Sequence, residues 1–487
     1  MEKILFVASE STPFIKTGGL ADVVGSLPKC FNKEKYDVRV IIPKYLCIPQ
    51  EKLENIRFLT NFYVNLSWRS QYAGIFVTEV DGITFYLIDN EYYFAGPGPY
   101  GNIYEDIEKF AFFSKAALMA LPAIDFHPDI VHCHDWQTGV VPVLLKVSFR
   151  DNPFYQGIKS VLTIHNLKFQ GRWELQKIKD VLGLPDYYFT SDKLEFYGDG
   201  DFLKGGIVFA DAITTVSKTY AEEIKTQEYG EGLEGLLKSK SNNLRGIVNG
   251  IDYEEFNPAT DPYIYKQYDA RSFRKEKSKN KRALQEEFGL EKDDKAFLIG
   301  IVSRLTDQKG FDLIDQAMDQ LCGMHVQIIV LGTGQEWYEN MFRHYEWKYQ
   351  GKVSANIYYS EEVSHKIYAG ADAFLMPSLF EPCGLSQLIS FRYGTIPIVR
   401  ETGGLKDTVE PYNEFESSGT GFSFRNYNAK EMLDIISYAL KIYGNKREWN
   451  KLIDRAMAAD FSWKKSAASY EEMYDWMIST KNQGNFQ

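Results

Sequence analysis

The sequence predicts an α/β fold with two similar domains, each a parallel sheet covered by helices on both faces. Apolar strand-like runs alternate with helical patterns in both halves, which is typical of parallel sheets covered on both faces. The 487 residues are too many for one ordinary core and suit two domains of roughly 200 residues each. Similar glycine loops, at residues 16–20 and 401–405, each follow an apolar run, one in each half of the chain.

The individual elements follow from hydrophobic periodicity. In the first half, strands are predicted at residues 3–9, 38–42, 74–80, 83–89, 130–133, 160–164 and 212–216, and helices at 105–121 and 217–224. In the second half, strands are predicted at residues 297–302, 326–331, 373–376 and 395–399, and helices at 311–321, 362–369 and 431–443. The charge-dense run 275–282 is expected to form a solvated helical face.

The Asn-Gly turn within residues 248–252 marks the predicted domain junction. We therefore expect an N-terminal domain over residues 1–248 and a C-terminal domain over 249–460. Residues 461–487 have a helical pattern, and we expect this helix to return to the N-terminal domain.

Charge, cysteine content and the lengths of apolar runs exclude several classes of function. The formal net charge of −11 disfavours nucleic acid as a partner. The five cysteines form no Cys-x-x-Cys pair, so neither a zinc site nor a disulfide framework is indicated. The apolar run after Lys3 is too short for a secretory signal, and no run approaches the roughly 20 apolar residues that span a bilayer. These observations predict an enzyme with reduced thiols and no membrane partner, located in the cytoplasm or, if the source is a plant, in the plastid, and they leave its oligomeric state open.

Polar clusters follow the predicted strands, where ligands of open α/β sheets bind. In order, they contain Lys16, Gly18 and Gly19; Asp135; His165 and Asn166; Arg304 and Lys309; Glu381, Cys383 and Gly384; and Thr402, Gly403 and Gly404. Glycine pairs let backbone amides approach a phosphate, and a helix start adds partial positive charge. Lysine and arginine would stabilise the charge of a departing diphosphate, although ordinary surface cations are the alternative. The clusters together predict a nucleoside diphosphate ligand.

Two further residues have open roles. Glu381 could accept hydrogen bonds from sugar hydroxyls. Alternatively, its negative charge could only interact favourably with the dipole of the helix that follows it. His165 could contact a transferring sugar, or be structural.

Two other motifs point away from alternative chemistries. Residues 199–201 resemble a metal-binding Asp-x-Asp, but no apolar strand precedes them and we interpret them as a loop coincidence. The glycines at 332 and 334 lack the rest of a dinucleotide fingerprint, because position 337 is Trp.

Together these motifs match a known family. The matching segments are residues 16–23 (Lys-Thr-Gly-Gly-Leu-Ala-Asp-Val), 134–136, 163–166, 228–236, 248–252, 303–305, 308–310, 381–385 and 402–405. In order and spacing they resemble bacterial glycogen synthases and plant starch synthases, from about residue 3 to about residue 475. The resemblance implies a GT-B fold, in which two Rossmann-like, doubly wound domains face a central cleft. It also implies a glycosyltransferase that transfers glucose from a nucleotide-glucose, usually ADP-glucose, to the non-reducing 4-hydroxyl of an α-1,4-glucan. It implies retention of anomeric configuration and no metal or other cofactor.

The resemblance also assigns roles to residues. The N-terminal domain would lie on the acceptor side, and the C-terminal domain would bind the nucleotide sugar. Lys16, Arg304 and Lys309 would hold the diphosphate, and the two glycine pairs would offer backbone amides. Tyr359 would stack on the base. The remaining implied substrate contacts are Asp22, Asp135, His165, Asn166, Asn249, Glu381, Cys383, Gly384, Leu385, Ser386 and Thr402.

The chain departs from related sequences in two places. Many related transferases carry a second Glu eight positions after the first, but position 389 is Ile, which favours the glycogen and starch synthase group. The loop at residues 94–100 lacks the Arg that many members carry before the proline, so its acceptor contacts can differ.

Retention by double displacement needs a carboxylate nucleophile. No obvious one is present, so we favour a front-face route in which the leaving phosphate takes the acceptor proton. The sequence leaves two alternatives open: another GT-B nucleotide-sugar enzyme with a different acceptor or an epimerase activity, and a glucan-binding scaffold without catalysis.

Overall fold

The computed structural model describes residues 1–484 and divides the chain into two compact units. The first unit contains Met1–Gly250 and the helix that begins at Trp463. The second unit is Ile251–Ser462. The last residues of the predicted C-terminal segment, 485–487, lie outside the described residues.

The first unit is a twelve-strand α/β assembly in its described residues. Its strands are β1 Glu2–Val7, β2 Tyr36–Pro43, β3 Arg57–Leu66, β4 Arg69–Val80, β5 Ile83–Asp89, β6 Ile130–His134, β7 Lys159–Ile164, β8 Arg172–Glu174, β9 Glu195–Phe196, β10 Asp199–Asp201, β11 Ala212–Thr215 and β12 Leu244–Gly246. Its helices before the junction are α1 Gly19–Ser26, α2 Ile103–Ala123, α3 Val140–Val147, α4 Leu175–Leu182, α5 Phe202–Phe209, α6 Lys218–Glu223 and α7 Glu234–Ser239.

Nine of these strands form one sheet in the order β12-β11-β7-β6-β1-β2-β5-β4-β3. The strands from β12 to β5 are parallel, whereas β4 and β3 add an antiparallel hairpin at the edge. Ile4 of β1 pairs with Val38 of β2 on one side and with Ile130 of β6 on the other. Residues 4–7 are fully buried, as expected of a strand covered on both faces.

The second unit repeats this plan with six strands and eight helices in its described residues. Its strands are β13 Phe297–Val302, β14 Val326–Leu331, β15 Val353–Asn356, β16 Ala373–Met376, β17 Ile396–Arg400 and β18 Phe422–Phe424. Its helices are α8 Phe273–Glu287, α9 Phe311–Gly323, α10 Glu336–Lys348, α11 Glu361–Gly370, α12 Ser386–Arg392, α13 Gly403–Thr408, α14 Ala429–Gly444 and α15 Lys446–Ala458.

The sheet of the second unit is entirely parallel, in the order β15-β14-β13-β16-β17-β18. In both units, the strands that come next in the chain lie on one side of the first strand, and the later strands lie on its other side. That reversal leaves a crevice at the carboxyl ends of the strands, the usual ligand site of doubly wound sheets. The switch points lie between β1 and β6 in the first unit and between β13 and β16 in the second. The predicted α/β, doubly wound fold class is therefore confirmed.

Several predicted bounds coincide with the structure, including those of β5, β13, β14 and β16. The sequence pattern missed β3 and α10. Strand β3 lies at the sheet edge and exposes Phe58 and Tyr63, so its apolar residues do not alternate cleanly with polar ones. Helix α10 exposes the apolar side chains of Trp337 and Trp347, so its sequence does not separate clearly into a polar face and an apolar face.

The charged run 275–282 is helical within α8, but the expectation of a solvated face is wrong for two of its lysines. Lys277 and Lys281 are buried. Lys277 Nζ donates to the carbonyl of Ala369 at 2.9 Å and to Thr395 Oγ1 at 2.6 Å, and burial lowers its pKa to about 7. Lys281 Nζ pairs with Asp372 at 2.6 Å. These amines join the helix to distant loops of the unit.

The last described helix, α16 Trp463–Gly484, packs within the first unit. Its Tyr474 is fully buried, and its hydroxyl lies 2.6 Å from Nδ1 of His132 on β6. Its ring lies against Phe31, with centroids 5.7 Å apart. Asp475 accepts a hydrogen bond from the Tyr36 hydroxyl at 2.6 Å.

Tyr474→Phe should lower the free energy of unfolding of the first unit by about 1–3 kcal/mol, because it leaves the buried Nδ1 of His132 without its partner. Urea unfolding at constant pH measures the loss. Tyr187→Phe is the matched control, since the Tyr187 side chain is 67% exposed and should change little. Equal stabilities of the two variants would contradict this role for the hydroxyl.

Candidate active site

The predicted residues of the first unit cluster at one edge of its sheet. Strands β7, β6 and β1 are neighbours, so the loops that follow them lie side by side. Lys16, Gly18 and Gly19 follow β1, and Asp135 follows β6 directly. His165 and Asn166 follow β7 directly.

The first glycine loop has room for a ligand. Gly18 has an extended backbone, and a Cβ atom added to it would meet nothing within 4 Å. Packing within the protein therefore does not require glycine there, whereas close approach of a ligand would. Gly19 begins α1, and Lys16 Nζ pairs with Asp22 Oδ1 in the first turn of that helix at 2.6 Å.

Sequence reasoning missed Glu10, which lies beneath this loop. The residue is 2% exposed, and its Oε2 accepts hydrogen bonds from the backbone N–H and the hydroxyl of Thr17, both at 2.7 Å. Burial raises its pKa to about 7, against the opposing effect of the bonds from Thr17, and the charge of Asp22 adds to the increase. The position of this ionisable residue, shortly after the apolar run of β1, is the sequence feature that could have indicated a site residue.

Asp135 and His165 are held by direct contacts. Asp135 has a positive φ of 57°, and its Oδ1 accepts a hydrogen bond from the backbone N–H of His165 at 2.7 Å. Burial raises the pKa of Asp135 to about 7 despite the backbone hydrogen bonds it accepts. His165 Nε2 lies 3.0 Å from Nδ1 of His134, and burial lowers the pKa of His165 to about 3. The imidazole is therefore neutral at physiological pH and suits contact with a hydroxyl group.

Two asparagines differ in their surroundings. Asn166 Oδ1 accepts a hydrogen bond from the backbone N–H of Lys168 at 3.1 Å, which forms a local turn. Asn249 is 6% exposed, and its Oδ1 has no hydrogen-bond partner among residues 1–484. Buried amide oxygens are rarely unsatisfied, so Asn249 is a candidate for contact with a bound ligand.

In the second unit, the loops after β13 and β16 hold the central charged residues. Lys309 Nζ lies 2.6 Å from Glu381 Oε2, and Ser378 Oγ donates to the same oxygen at 3.1 Å. Glu381 is 6% exposed. Arg304 follows β13, is exposed, and forms no ion pair within the described part of the chain. A cation thus remains available at the switch point of this sheet.

A glycine allows these two loops to pack closely. Gly310, next to Lys309, has a φ of 75°, and an added Cβ would lie 2.0 Å from the carbonyl oxygen of Pro377. The loop after β13 can therefore approach the loop after β16 only through a residue without a side chain.

The second glycine pair packs against the loop that carries Glu381. An added Cβ at Gly403 would lie 1.9 Å from the Glu381 carbonyl oxygen, and one at Gly404 would lie 2.2 Å from that of Cys383. The N–H of Gly404 donates to the carbonyls of Glu381 and Pro382, each at 3.1 Å. This N–H therefore has acceptors within the protein, and the missing side chain of Gly404 allows the two segments to pack closely.

The other predicted residues of the second unit lie around these loops. Cys383 and Thr402 are buried, Gly384 has a φ of 75°, and Leu385 and Ser386 begin α12. Tyr359 follows β15, two strands from β13, and its side chain is 81% exposed, so a ligand can reach its ring.

The Asp-x-Asp segment is a strand, not the loop that the sequence predicted. It forms β10, in which Asp199 Oδ2 accepts a hydrogen bond from Arg172 Nε at 2.8 Å. Asp201 Oδ1 accepts a hydrogen bond from the backbone N–H of Lys204 at 2.7 Å and so caps the N-terminus of α5. Among residues 1–484, no group of three or more His, Cys, Asp or Glu side chains is arranged to hold a metal ion. No helix in this part of the chain is both long and apolar enough to cross a membrane.

Glu10→Gln should change how stability depends on pH. The folded-state pKa of Glu10, about 7, lies above its ordinary value of 4.5, so the folded protein holds this proton more tightly than the unfolded chain. The resulting stabilisation is complete below the ordinary value and is lost as pH rises through the folded-state value. The variant lacks this loss, so its stability relative to the native protein should increase with pH over that window, by on the order of 3 kcal/mol.

Urea unfolding between pH 4.5 and 8 measures the difference. Glu34→Gln, at an exposed position, serves as the control and should show no such trend. A difference between Glu10→Gln and the native protein that does not vary with pH would refute a raised pKa at Glu10.

Comparison with known proteins places this geometry in a family. Residues 3–239 match the family model "Starch synthase catalytic domain", and residues 283–455 match "Glycosyl transferases group 1". The chain is 67% identical to a glycogen synthase of Lachnospira eligens over 98% of this chain and 100% of the relative. It is 66% identical to a glycogen synthase of Lachnoclostridium phytofermentans with the same coverage of each chain.

A solved structure gives the same result. The catalytic domain of starch synthase IV from Arabidopsis thaliana, solved bound to ADP and acarbose, aligns with a TM-score of 0.90 at 33% identity, over 98% of this chain and 99% of that one. The predicted GT-B class is confirmed, and the comparisons support neither an unrelated nucleotide-sugar enzyme nor an inactive scaffold. The chain belongs to the glycogen and starch synthase family of glycosyltransferases.

Proposed function

We propose that this protein transfers glucose from ADP-glucose to the non-reducing 4-hydroxyl of an α-1,4-glucan, with retention at the anomeric carbon. The observation that carries the proposal is the ion pair between half-buried Lys309 and buried Glu381 at the switch point of the second sheet, with exposed Arg304 on the preceding loop. Relatives at 66–67% identity are named glycogen synthase, and the aligned starch synthase was solved with ADP and the oligosaccharide acarbose.

In this proposal the second unit binds the nucleotide sugar. Lys309 and Arg304 meet the negative charge that develops on the departing diphosphate, which lowers the barrier most where water is excluded. Glu381 fixes the position of Lys309 and offers its other oxygen to a glucose hydroxyl. Tyr359 stacks on the base. The backbones of Cys383, Gly384, Leu385, Ser386, Thr402 and Gly403 contact the glucose and phosphates.

The first unit binds the acceptor glucan and contributes sugar-binding residues of its own. Asp135, neutral His165 and Asn166 lie on adjacent loops and bind sugar hydroxyls. Asn249 contacts the sugar through its buried side-chain amide oxygen, which has no hydrogen-bond partner among the described residues. Lys16, held by Asp22, contributes positive charge to the diphosphate, and the open space beside Gly18 lets the ligand approach the backbone.

We favour a front-face mechanism for retention. The bond from the anomeric carbon to the diphosphate oxygen breaks, the bond to the acceptor 4-oxygen forms on the same face, and the acceptor proton passes to the leaving diphosphate. Glu381 already accepts hydrogen bonds from Lys309 and Ser378, which suits a charge and hydroxyl contact better than a nucleophile. No metal or other cofactor has a step in this scheme.

Release of nucleoside diphosphate should depend on both substrates. We expect release from ADP-glucose only in the presence of glycogen, and slower release from UDP-glucose. A coupled assay for free diphosphate, run with each donor with and without glycogen, measures this. Equal release without glycogen would indicate hydrolysis or an epimerase that releases the diphosphate, and no release with either donor would contradict the proposal.

Lys309→Ala and Glu381→Gln should each lower kcat by about 100-fold or more, because each removes part of the preorganised charge around the diphosphate and glucose. Lys309→Ala should also destabilise the second unit, since it leaves the Glu381 carboxylate buried without its cation.

Lys430→Ala is the matched control, since Lys430 forms an exposed ion pair with Asp434 at 2.8 Å. Its turnover should equal that of the native protein. Steady-state kinetics at saturating substrates, with a melting curve for each variant, separates lost catalysis from lost folding. Near-native turnover in a folded Lys309 or Glu381 variant would disprove the role given to that residue.

A further inference from the structure

A tyrosine occupies a backbone position that favours asparagine, aspartate or glycine. Strands β9 and β10 are antiparallel and are joined by the two-residue loop Tyr197-Gly198. The φ angles of these residues are 51° and 87°. Two-residue hairpin loops with positive φ at both positions strongly prefer Asn-Gly or Asp-Gly. A bulky aromatic residue with positive φ is a genuine outlier.

The same chain uses the usual solution elsewhere. The loop Asp81-Gly82 joins β4 to β5 across the pair Val80 and Ile83, with φ angles of 53° and 75°. Backbone geometry alone thus gives no reason for a tyrosine in the β9–β10 loop. Strained residues of this kind persist where their side chain serves function, so the ring of Tyr197 needs a functional explanation.

The tyrosine ring is exposed and held from one side. The side chain is 76% exposed, although its hairpin is anchored by Arg172, whose Nε donates to Asp199. The guanidinium carbon of Arg172 lies 6.0 Å from the ring centroid of Tyr197 and 5.1 Å from that of Phe196. A Cβ added at Gly232 would lie 3.4 Å from the Tyr197 ring. These neighbours fix the ring and leave most of it open to a ligand.

A series of contacts links the loop that carries Asn166 to the segment beside the ring. The backbone N–H of Phe169 donates to the carbonyl of Asn166 at 3.2 Å, and the Phe169 side chain is 51% exposed. The amide of Gln170 donates to the carbonyl of Glu231 at 3.1 Å, and Glu231 also has a positive φ, 49°. We call the surface formed by Phe169, Gln170, Arg172, Tyr197 and Glu231 the Tyr197 platform.

The charges of the platform favour a neutral ligand. Arg172 is paired with Asp199, which leaves the exposed Glu231 as the one unpaired charge among the five platform residues. A nucleic acid would need excess positive charge, and a basic peptide would need excess negative charge. Exposed aromatic rings beside amide and carboxylate groups suit glucose units, which present an apolar face and a rim of hydroxyls.

We propose that the Tyr197 platform binds glucose units of the acceptor glucan that lie upstream of its reacting end, with Tyr197 stacked on a sugar face. This inference rests on the proposed function for the identity of the acceptor. The platform extends the acceptor site away from Asn166. It therefore contributes to binding of long acceptors, such as glycogen and maltoheptaose, and not to binding of maltotriose or the nucleotide sugar.

Tyr197→Asn provides a test with opposite effects on stability and binding. Asn tolerates positive φ, so the melting temperature should rise, while the loss of the ring should raise KM for glycogen roughly tenfold. KM for maltotriose and for ADP-glucose should not change. Tyr197→Phe, which keeps the ring, should bind glycogen like the native protein, and Asp81→Asn is the matched change in the other hairpin loop.

Retardation of each variant in native gels that contain glycogen, without nucleotide, separates this inference from the proposed function. Tyr197-dependent retardation in a protein that fails to transfer glucose would support the platform and reject the proposed function. Unchanged retardation and unchanged KM for glycogen in Tyr197→Asn would overturn the platform. An equal increase in KM for maltotriose would also overturn it, because the ring would then contact the reacting end.

Discussion

The position of the first strand in each parallel sheet is the constraint on which the rest of this structure depends. β1 pairs with β2 and β6, and β13 pairs with β14 and β16. Because parallel strands need crossover connections of one hand, building outward in both directions from the first strand places helices on opposite faces. The loops that leave the two central strands must then diverge, and the space between them is where polar residues can meet a ligand. The charged residues and the residues proposed to bind hydroxyls lie in these loops for this reason.

The two Thr-Gly-Gly-Leu loops show that identical sequence can answer different physical demands. Gly18 borders open space, so its lack of a side chain benefits a ligand. Gly403 and Gly404 lie against the backbone of residues 381–383, so their lack of side chains benefits the protein itself. This packing fixes the carbonyl of Glu381 against the start of α13, next to the side chain that binds Lys309. The second loop therefore supports the position of the segment that carries Glu381.

Local pattern was enough to predict most of the fold and the loops that hold the candidate site. Strands buried on both faces, such as β13 and β14, have continuous apolar runs whose ends are visible in the sequence. Lys277 could not be recognised as buried, because its acceptors Ala369 and Thr395 lie about a hundred residues away in the chain. Glu10 was missed for a related reason, since its raised pKa comes from burial in the folded protein, against the opposing hydrogen bonds from Thr17. Strain at Tyr197 is visible only in the backbone angles.

The electrostatics of the two units differ in a way that fits a division of labour. In the first unit, burial raises the pKa of Glu10 and of Asp135 to about 7 and keeps the imidazole of His165 neutral. A carboxyl group with such a pKa carries less charge at neutral pH and suits a neutral polyol. In the second unit, Lys309 is paired with a buried carboxylate and Arg304 remains exposed. Fixed cations of this kind are useful where charge develops during the reaction, as it does on a departing diphosphate, and a sugar chain alone would not require them.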